Sequence, residues 1–391
     1  MPARLALGAY LVSRLIDRLL ARDTDEGAHE GLLWQLDAVR RHLRELPPDS
    51  PESAHLHGIA DAVSTGPQPF AGLRLSLMAY AYFLEHEGRL EESLEVLALA
   101  VRTHGPEVPA GDFAASALFA GRLNRLLARW NEATTCYASA ESAAERAGDQ
   151  VIALRGRLGR AAVLRGQGNL PLSQAIVEVV IETARGAGLR DVEAIALMDL
   201  GAVYSIEGRR VEAVQAHYEA FRITEDALQR MRVLGDLGIG LKELGAVDGA
   251  RIAFELVVGA RTSFLVRTNA LLELMELESS VGDRMAFERR RAEAEKVQSR
   301  MAPSMLTDFY CKAGVGLARF GQTARGRQFL TAGLALAETH QLNAWYFRCE
   351  KVLANLTDCE SPEPATHPGL GELPAVRAVA VGLREYAAAE T

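Results

Sequence analysis

Small residues recur in this chain with a period that few folds can use. Gly88, Ala128, Gly168, Gly208, Gly245, Gly282 and Gly321 each sit between two apolar-periodic segments, at intervals of 40, 40, 40, 37, 37 and 39 residues. Seven positions before each of these turns stand Ala81, Gly121, Ala161, Gly201, Gly238, Met275 and Gly314. Five positions after stand Ser93, Ala133, Ser173, Ala213, Ala250, Phe287 and Gly326. Six of the seven are small in each set. Two antiparallel helices joined by a short turn cross near such points. A missing side chain on each lets the backbones approach while larger neighbours fill the grooves. A glycine at the turn adopts positive φ and ends the first helix. A fixed period of this size is the mark of a stacked repeat array, so the expected fold class is all-α, an α-solenoid of about seven antiparallel helix pairs.

Composition agrees. Hydrophobic residues make up 49% and charged residues 24% of 391 residues, and the helix-favouring Ala, Leu, Glu and Arg dominate. That length exceeds one compact core. The net charge of -8 argues against direct nucleic-acid binding, which needs basic excess to neutralise phosphate. Cys136, Cys311, Cys349 and Cys359 are far apart with no CxxC pair, so buried thiols and a cytoplasmic location are expected rather than a disulfide framework or a zinc site. No stretch of about 18 apolar residues suggests a membrane span.

The repeated positions resemble those of the tetratricopeptide repeat, which carries a small residue at its eighth position, a large one at its eleventh, Ala at the twentieth, an aromatic at the twenty-fourth and Ala at the twenty-seventh. The fourth copy matches with Leu197, Leu200, Gly201, Tyr204, Ala213 and Ala220; the second with Gly121, Ala133, Tyr137 and Ala140; the fifth with Gly238, Leu241, Ala250 and Phe254. The resemblance spans roughly residues 71–340 and is specific in aggregate. It implies a right-handed superhelix whose concave groove is lined by the first helix of each pair, helix A. The usual Trp of helix A and the usual Pro between copies are absent, and the period is long, as in MalT-like activators and bacterial peptide-sensing regulators. Those proteins also carry an ATPase or helix-turn-helix module. Neither a GxxxxGK[ST] motif nor a basic DNA-reading helix is present in this sequence.

The ends differ from the array. Residues 1–69 hold two long amphipathic segments and, after PPDSP, a shorter one, expected to cap the first repeat because an open solenoid end exposes apolar surface. Residues 70–356 hold the array, closed by LNAWYFRCEKVLANL as a lone helix A. Residues 357–374, rich in Pro, Gly and acid, read as a flexible linker. In 375–391, Val376, Val379, Leu383 and Tyr386 share one helix face. That segment is either a frayed tail or a tethered helix that docks in the groove and excludes a ligand. The sixth copy, with bulky Met275 and Phe287, is either a splayed hairpin or a compensated variant.

Nothing in the sequence composes a catalytic centre or a cofactor site. Glu26 and His29 form a single ExxH, where a carboxylate di-metal site needs two with further acids. His55 and His57 face different sides of a helix, and His217 takes the twenty-fourth position of its copy as a packed core residue. Function is therefore expected on the inner face of the A helices. The resemblance puts Tyr82, Phe119, Arg122, Arg125, Arg155 and Arg165 on that face, followed by Asp199, Asp236 and Lys242. The arginines suit a peptide carboxylate, held by paired N–H donors, with Tyr82 and Phe119 as apolar anchors; alternatively they pair with acids such as Asp199. The expected function is a non-enzymatic scaffold that holds a protein or peptide in the groove. A signal-sensing regulator of a partner ATPase, kinase or transcription factor is the alternative.

Overall fold

The computed structural model describes residues 2–21, 26–64, 70–103, 108–356 and 369–390. Among these it is built of α-helices and short 3-10 turns. Three helices come first: α1 (Pro2–Leu20), α2 (Glu26–Arg44) and α3 (Pro51–Ser64). Seven helix pairs follow: α4 (Phe70–His86) with α5 (Leu90–Arg102), α6 (Ala110–Leu126) with α7 (Trp130–Ala147), α8 (Gln150–Gly166) with α9 (Leu170–Gly186), and α10 (Arg190–Ile206) with α11 (Arg210–Ile223). Then come α12 (Ala227–Glu243) with α13 (Val247–Gly259), α14 (Phe264–Ser280) with α15 (Arg284–Val297), and α16 (Pro303–Arg319) with α17 (Thr323–Thr339). The chain ends in α18 (Asn343–Ala354) and α19 (Pro374–Glu390). It divides within α8 into two compact units, residues 1–163 and 164–391. The repeat pattern does not mark that division.

One backbone device makes every A-to-B turn. The residue after the turn donates to a carbonyl five back, as in Arg209 N–H to Tyr204 O at 2.9 Å and Ala246 N–H to Leu241 O at 2.9 Å. The turn residue is left-handed, with φ of 79° at Gly208 and 77° at Gly245. This closes the last carbonyls of helix A. Ala128 does the same work without glycine, at φ 56°.

The small residues lie where the paired helices cross. A methyl group on Gly121 would come within 2.8 Å of the Tyr137 ring, and one on Gly238 within 2.6 Å of Phe254. A methyl group on Gly314 would come within 2.7 Å of Leu330 and 2.9 Å of the Gly326 carbonyl. The eighth residue is thus a hollow that receives the side chain sixteen residues later. Ala81 accepts a hydrogen bond at its carbonyl from Ser93 Oγ at 2.7 Å, where no bulk separates α4 from α5. Ala133, Ala213 and Ala250 are buried at the corresponding places, and Ala161 is buried on α8. Burying a ring such as Phe254, fully enclosed, stabilises by about 2 kcal/mol.

In the first unit, α1–α3 share a core with α4 and α5: Leu15, Ile16, Leu43, Leu56, Ile59, Leu73 and Leu77 are buried together. Glu52 fixes the cap to the first repeat, accepting from Tyr80 Oη at 2.8 Å and from Arg89 Nη1 at 2.6 Å. In the second unit α18 covers α16 and α17, with Cys349, Cys311, Leu330 and Leu356 in one cluster.

The sixth pair is both looser and compensated. Helices α14 and α15 approach less closely than those of the α4–α5, α6–α7, α10–α11, α12–α13 and α16–α17 pairs. Met275 and Phe287 are nonetheless fully buried. Phe287 turns to the following helix, where Gly316 offers the hollow: a methyl group there would lie 2.3 Å from its Cε2.

The tail differs from both expectations. Helix α19 is neither frayed nor against the A helices; it packs on the B helices α11 and α13. Val376, Val379 and Leu383 are buried, Tyr386 meets Phe221 edge-on at 4.9 Å, and Arg384 reaches Asp248 at 3.3 Å. A methyl group on Gly249 would touch Ala380 Cβ at 3.1 Å. The reason is polarity. The A faces of this unit are lined with ions, which an apolar stripe would desolvate without pairing. Of the expected linker, 357–368 lies outside the described residues. Residues 369–373 are ordered, with Gly371 against the Leu244 carbonyl at the α12–α13 turn.

Candidate ligand-binding faces of the A helices

The hairpin register dictates which A-helix side chains meet. Counting from the crossing residue as position eight, position twelve of one copy faces positions six and nine of the next. Glu85 therefore pairs with Arg122 at 2.6 Å, Arg165 with Asp199 at 2.7 Å, and Lys242 with Glu273 and Glu276 at 2.5 Å each. Each link joins neighbouring helices, so charge type along the sequence translates into ion-pair ladders across a face.

In the second unit the ladder becomes a network. Lys312, buried, donates to Glu273 at 2.6 Å and to Asp308 at 2.8 Å. Arg348 on α18 stands 3.6 Å from Glu276 and 4.0 Å from Asp308. Burial works to raise the Glu273 and Glu276 carboxyls, but the Lys312 and Lys242 ammoniums outweigh it and hold both below the usual range. Asp308 goes the other way: burial raises it despite Lys312, and its Oδ1 accepts no hydrogen bond. Upstream, Asp236 is pushed up to about 6 by burial and by Asp199, against Arg165 and Arg232. Its carboxylate still reaches solvent, so surrounding water offsets part of that desolvation.

In the first unit the A faces of α4, α6 and α8 carry aromatic and cationic groups. Tyr82 and Phe119 stack with ring centroids 4.2 Å apart. The Arg122 guanidinium lies over both, 5.7 Å from Tyr82 and 5.0 Å from Phe119. Arg155 is an exposed residue with protein close around its guanidinium; desolvation and then the neighbouring Arg122 lower its pKa. Arg125 has a buried Nε without a hydrogen-bond partner.

The residues expected on the face thus separate into two groups. Arg122, Arg165, Asp199 and Lys242 are spoken for by ion pairs. Among the described residues Arg125, Arg155 and Asp236 make no ion pair. Sequence reasoning missed Asp308, Lys312 and Arg348. Counting the register onward from Gly314 finds the first two, at positions two and six. The Glu26–His29 pair has side chains outside the described residues.

No protein-family model matches the chain, and no curated protein matches it. Solved structures do. The Rap conjugation gene regulator of the plasmid pLS20, in complex with the Phr* peptide, superposes with a TM-score of 0.52 at 12% identity, covering 91% of this chain and 99% of that one. The apo form of the quorum sensor NprR from B. thuringiensis gives 0.50 at 13% identity, covering 84% and 86%. The fold is a tetratricopeptide-like helical array. Identities this low establish the architecture alone. Among the described residues, no helix of this tetratricopeptide-like array is long and apolar enough to cross a membrane.

Proposed function

We propose that the protein is a non-enzymatic regulatory scaffold that takes a peptide, or an extended segment of a partner protein, along the A-helix faces. The observation that carries this reading is the pre-set polar lining of the second unit. Side chains at positions two, six, nine and twelve are held by their neighbours in α10, α12, α14, α16 and α18, while Asp236 is left able to accept a partner. A lining already ordered loses little side-chain freedom on binding. The array also has the architecture of a regulator whose structure holds a peptide, which supports a short peptide as ligand. Its likeness to a quorum sensor supports a sensing role over a passive one. The free thiols of Cys136, Cys311 and Cys349 suit a reducing cytoplasm.

The test is selection of a random hexapeptide library on the full chain, with retained sequences resynthesised and titrated by fluorescence anisotropy. The expected result is a consensus peptide whose affinity falls at least about tenfold in Asp236→Lys, with helicity unchanged. Absence of any enriched sequence overturns the reading. For the sensing role, the same peptide is expected to alter amide-hydrogen exchange beyond the helices it touches; protection confined to those helices leaves only a scaffold.

A further inference from the structure

Of the three cations at position twelve, Arg125, Arg165 and Lys242, the register leaves one without an acid. Position twelve of the second copy is Arg125, and the positions it should face in the next copy, six and nine, are Gly159 and Ala162. No carboxylate is there to answer it. Gly159 is not free to become one: its hollow is filled by the Tyr137 ring, which would lie 2.2 Å from a methyl group at that site. Packing of the Tyr137 ring between Gly121 and Gly159 therefore removes the acid that the register supplies to Arg165 and Lys242.

A second imbalance lies at Arg155, which neighbours another cation, Arg122, itself one helical turn from Arg125. The acid that acts on Arg155 is Asp149, which caps α8 by accepting from Ile152 N–H at 3.0 Å, and Glu85 on α4 is already held by Arg122 at 2.6 Å. The A faces of α4, α6 and the part of α8 within the first unit thus carry Arg122, Arg125 and Arg155 against one carboxylate, Glu85. This stands out in a chain of net charge -8, where Arg165, Lys242, Lys312 and Arg348 in the second unit each reach an acid. Next to the excess charge, Tyr82 is 41% exposed and stacked on Phe119, a flat apolar surface fixed in orientation.

We propose that this face of the first unit is a subsite for a peptide carboxylate flanked by an apolar side chain: Arg125 and Arg155 hold the carboxylate, Tyr82 and Phe119 take the apolar group, and the Glu85–Arg122 pair fixes the rings. The inference rests on the peptide-binding reading above and names the chemistry that the first unit's own face would take. Guanidiniums match a carboxylate through parallel N–H donors, and a site already short of negative charge gains most from supplying one.

The test uses the full chain and four pools of fluorescein-labelled random hexapeptides, each with one fixed Phe. The pools cross a free C-terminal carboxylate against an amide, and a fixed Glu against a fixed Gln. The expected result is that a carboxylate-bearing pool binds at least about tenfold more tightly than the amidated Gln pool. Acid against amide and Glu against Gln identify the terminus or the side chain as its source. The double variant Arg125→Gln/Arg155→Gln is expected to bind all pools at the weak level, with unchanged circular dichroism. Arg129→Gln/Arg160→Gln removes the same charge from Glu91 and Glu141, away from the three A-face arginines, and is expected to keep the preference. Pools that bind the wild type equally overturn the subsite but leave peptide binding standing. A preference that survives Arg125→Gln/Arg155→Gln, or is lost equally in the control, also overturns it. No binding of any pool removes the peptide reading itself.

Discussion

The imidazole of His217 occupies the hollow of Gly201: a methyl group there would lie 2.5 Å from its Nε2. Nε2 lies 3.3 Å from the Met198 carbonyl, and Nδ1 is buried with no partner. An Nε2–H tautomer donates to Met198 and leaves Nδ1 as an idle lone pair, so protonation would bury an unsatisfied N–H.

A pH dependence follows from that contact. Burial lowers the His217 pKa to about 4 from 6.5, against the Met198 hydrogen bond. The unfolded chain then binds the proton more readily than the folded one. Stability from this residue is complete above about pH 6.5 and falls by about 3 kcal/mol as the pH drops to 4. In His217→Phe, which resembles Phe254 at the equivalent place, the pH 5 minus pH 7 difference in urea midpoint should shrink relative to the wild type. An equal difference in both would refute the assignment.

Two glycines of one helix should respond in opposite directions to alanine. Gly238 faces Phe254, whereas Gly235 has no atom within 4 Å of where a methyl group would stand. Gly238→Ala is expected to destabilise by about 1–3 kcal/mol through overpacking. Gly235→Ala is expected to stabilise by up to about 1 kcal/mol through helix propensity. Urea unfolding followed at 222 nm separates them.

Ala128 holds a left-handed turn conformation that glycine holds in the other A-to-B turns. Its Cβ costs about 1–2 kcal/mol there, and a glycine returns part of that as unfolded-chain entropy. Ala128→Gly is therefore expected to raise stability by about 0.5–1 kcal/mol. A lowered melting temperature would contradict this.

Lys312 is the hub of the second-unit network. Lys312→Met should cost about 3 kcal/mol, because Asp308 and Glu273 are left without it in a dry setting. Adding Glu273→Gln should recover part of that loss. If the double variant is as unstable as the sum of the singles, the pairs are independent of each other.

Leu383 is fully buried beneath α19. Leu383→Asp should release the helix from α11 and α13, seen as fast amide exchange over 374–390 with the A helices still protected. Because α19 lies on the B helices, affinity for a peptide should stay unchanged; tighter binding would revive the competing idea of an autoinhibitory tail.

Much of the architecture was legible because each repeat solves the same local problem. Gly121, Gly201, Gly238 and Gly314 recur since a helix crossing needs a hollow, and the side chain that fills it, a ring in the first three and Leu330 in the last, sits at a fixed distance along the chain. The candidate site was legible only by register: counting from Gly121, Ala161 and Gly238 gave Arg125, Arg155 and Asp236 as the expected A-face positions. Which of them lacked a partner was not readable, since Arg122 and Arg155 look alike in a line of text until Glu85 is seen to reach one of them.

By itself the sequence determined the helix pairs and their turns, because these depend on contacts a few residues to about one repeat apart. Tertiary structure alone decided where α19 settles, how Phe287 finds Gly316, and which charges are neutralised. Those outcomes depend on separate helices competing for the same apolar surface or the same ion, and no spacing along the chain encodes the winner of that competition.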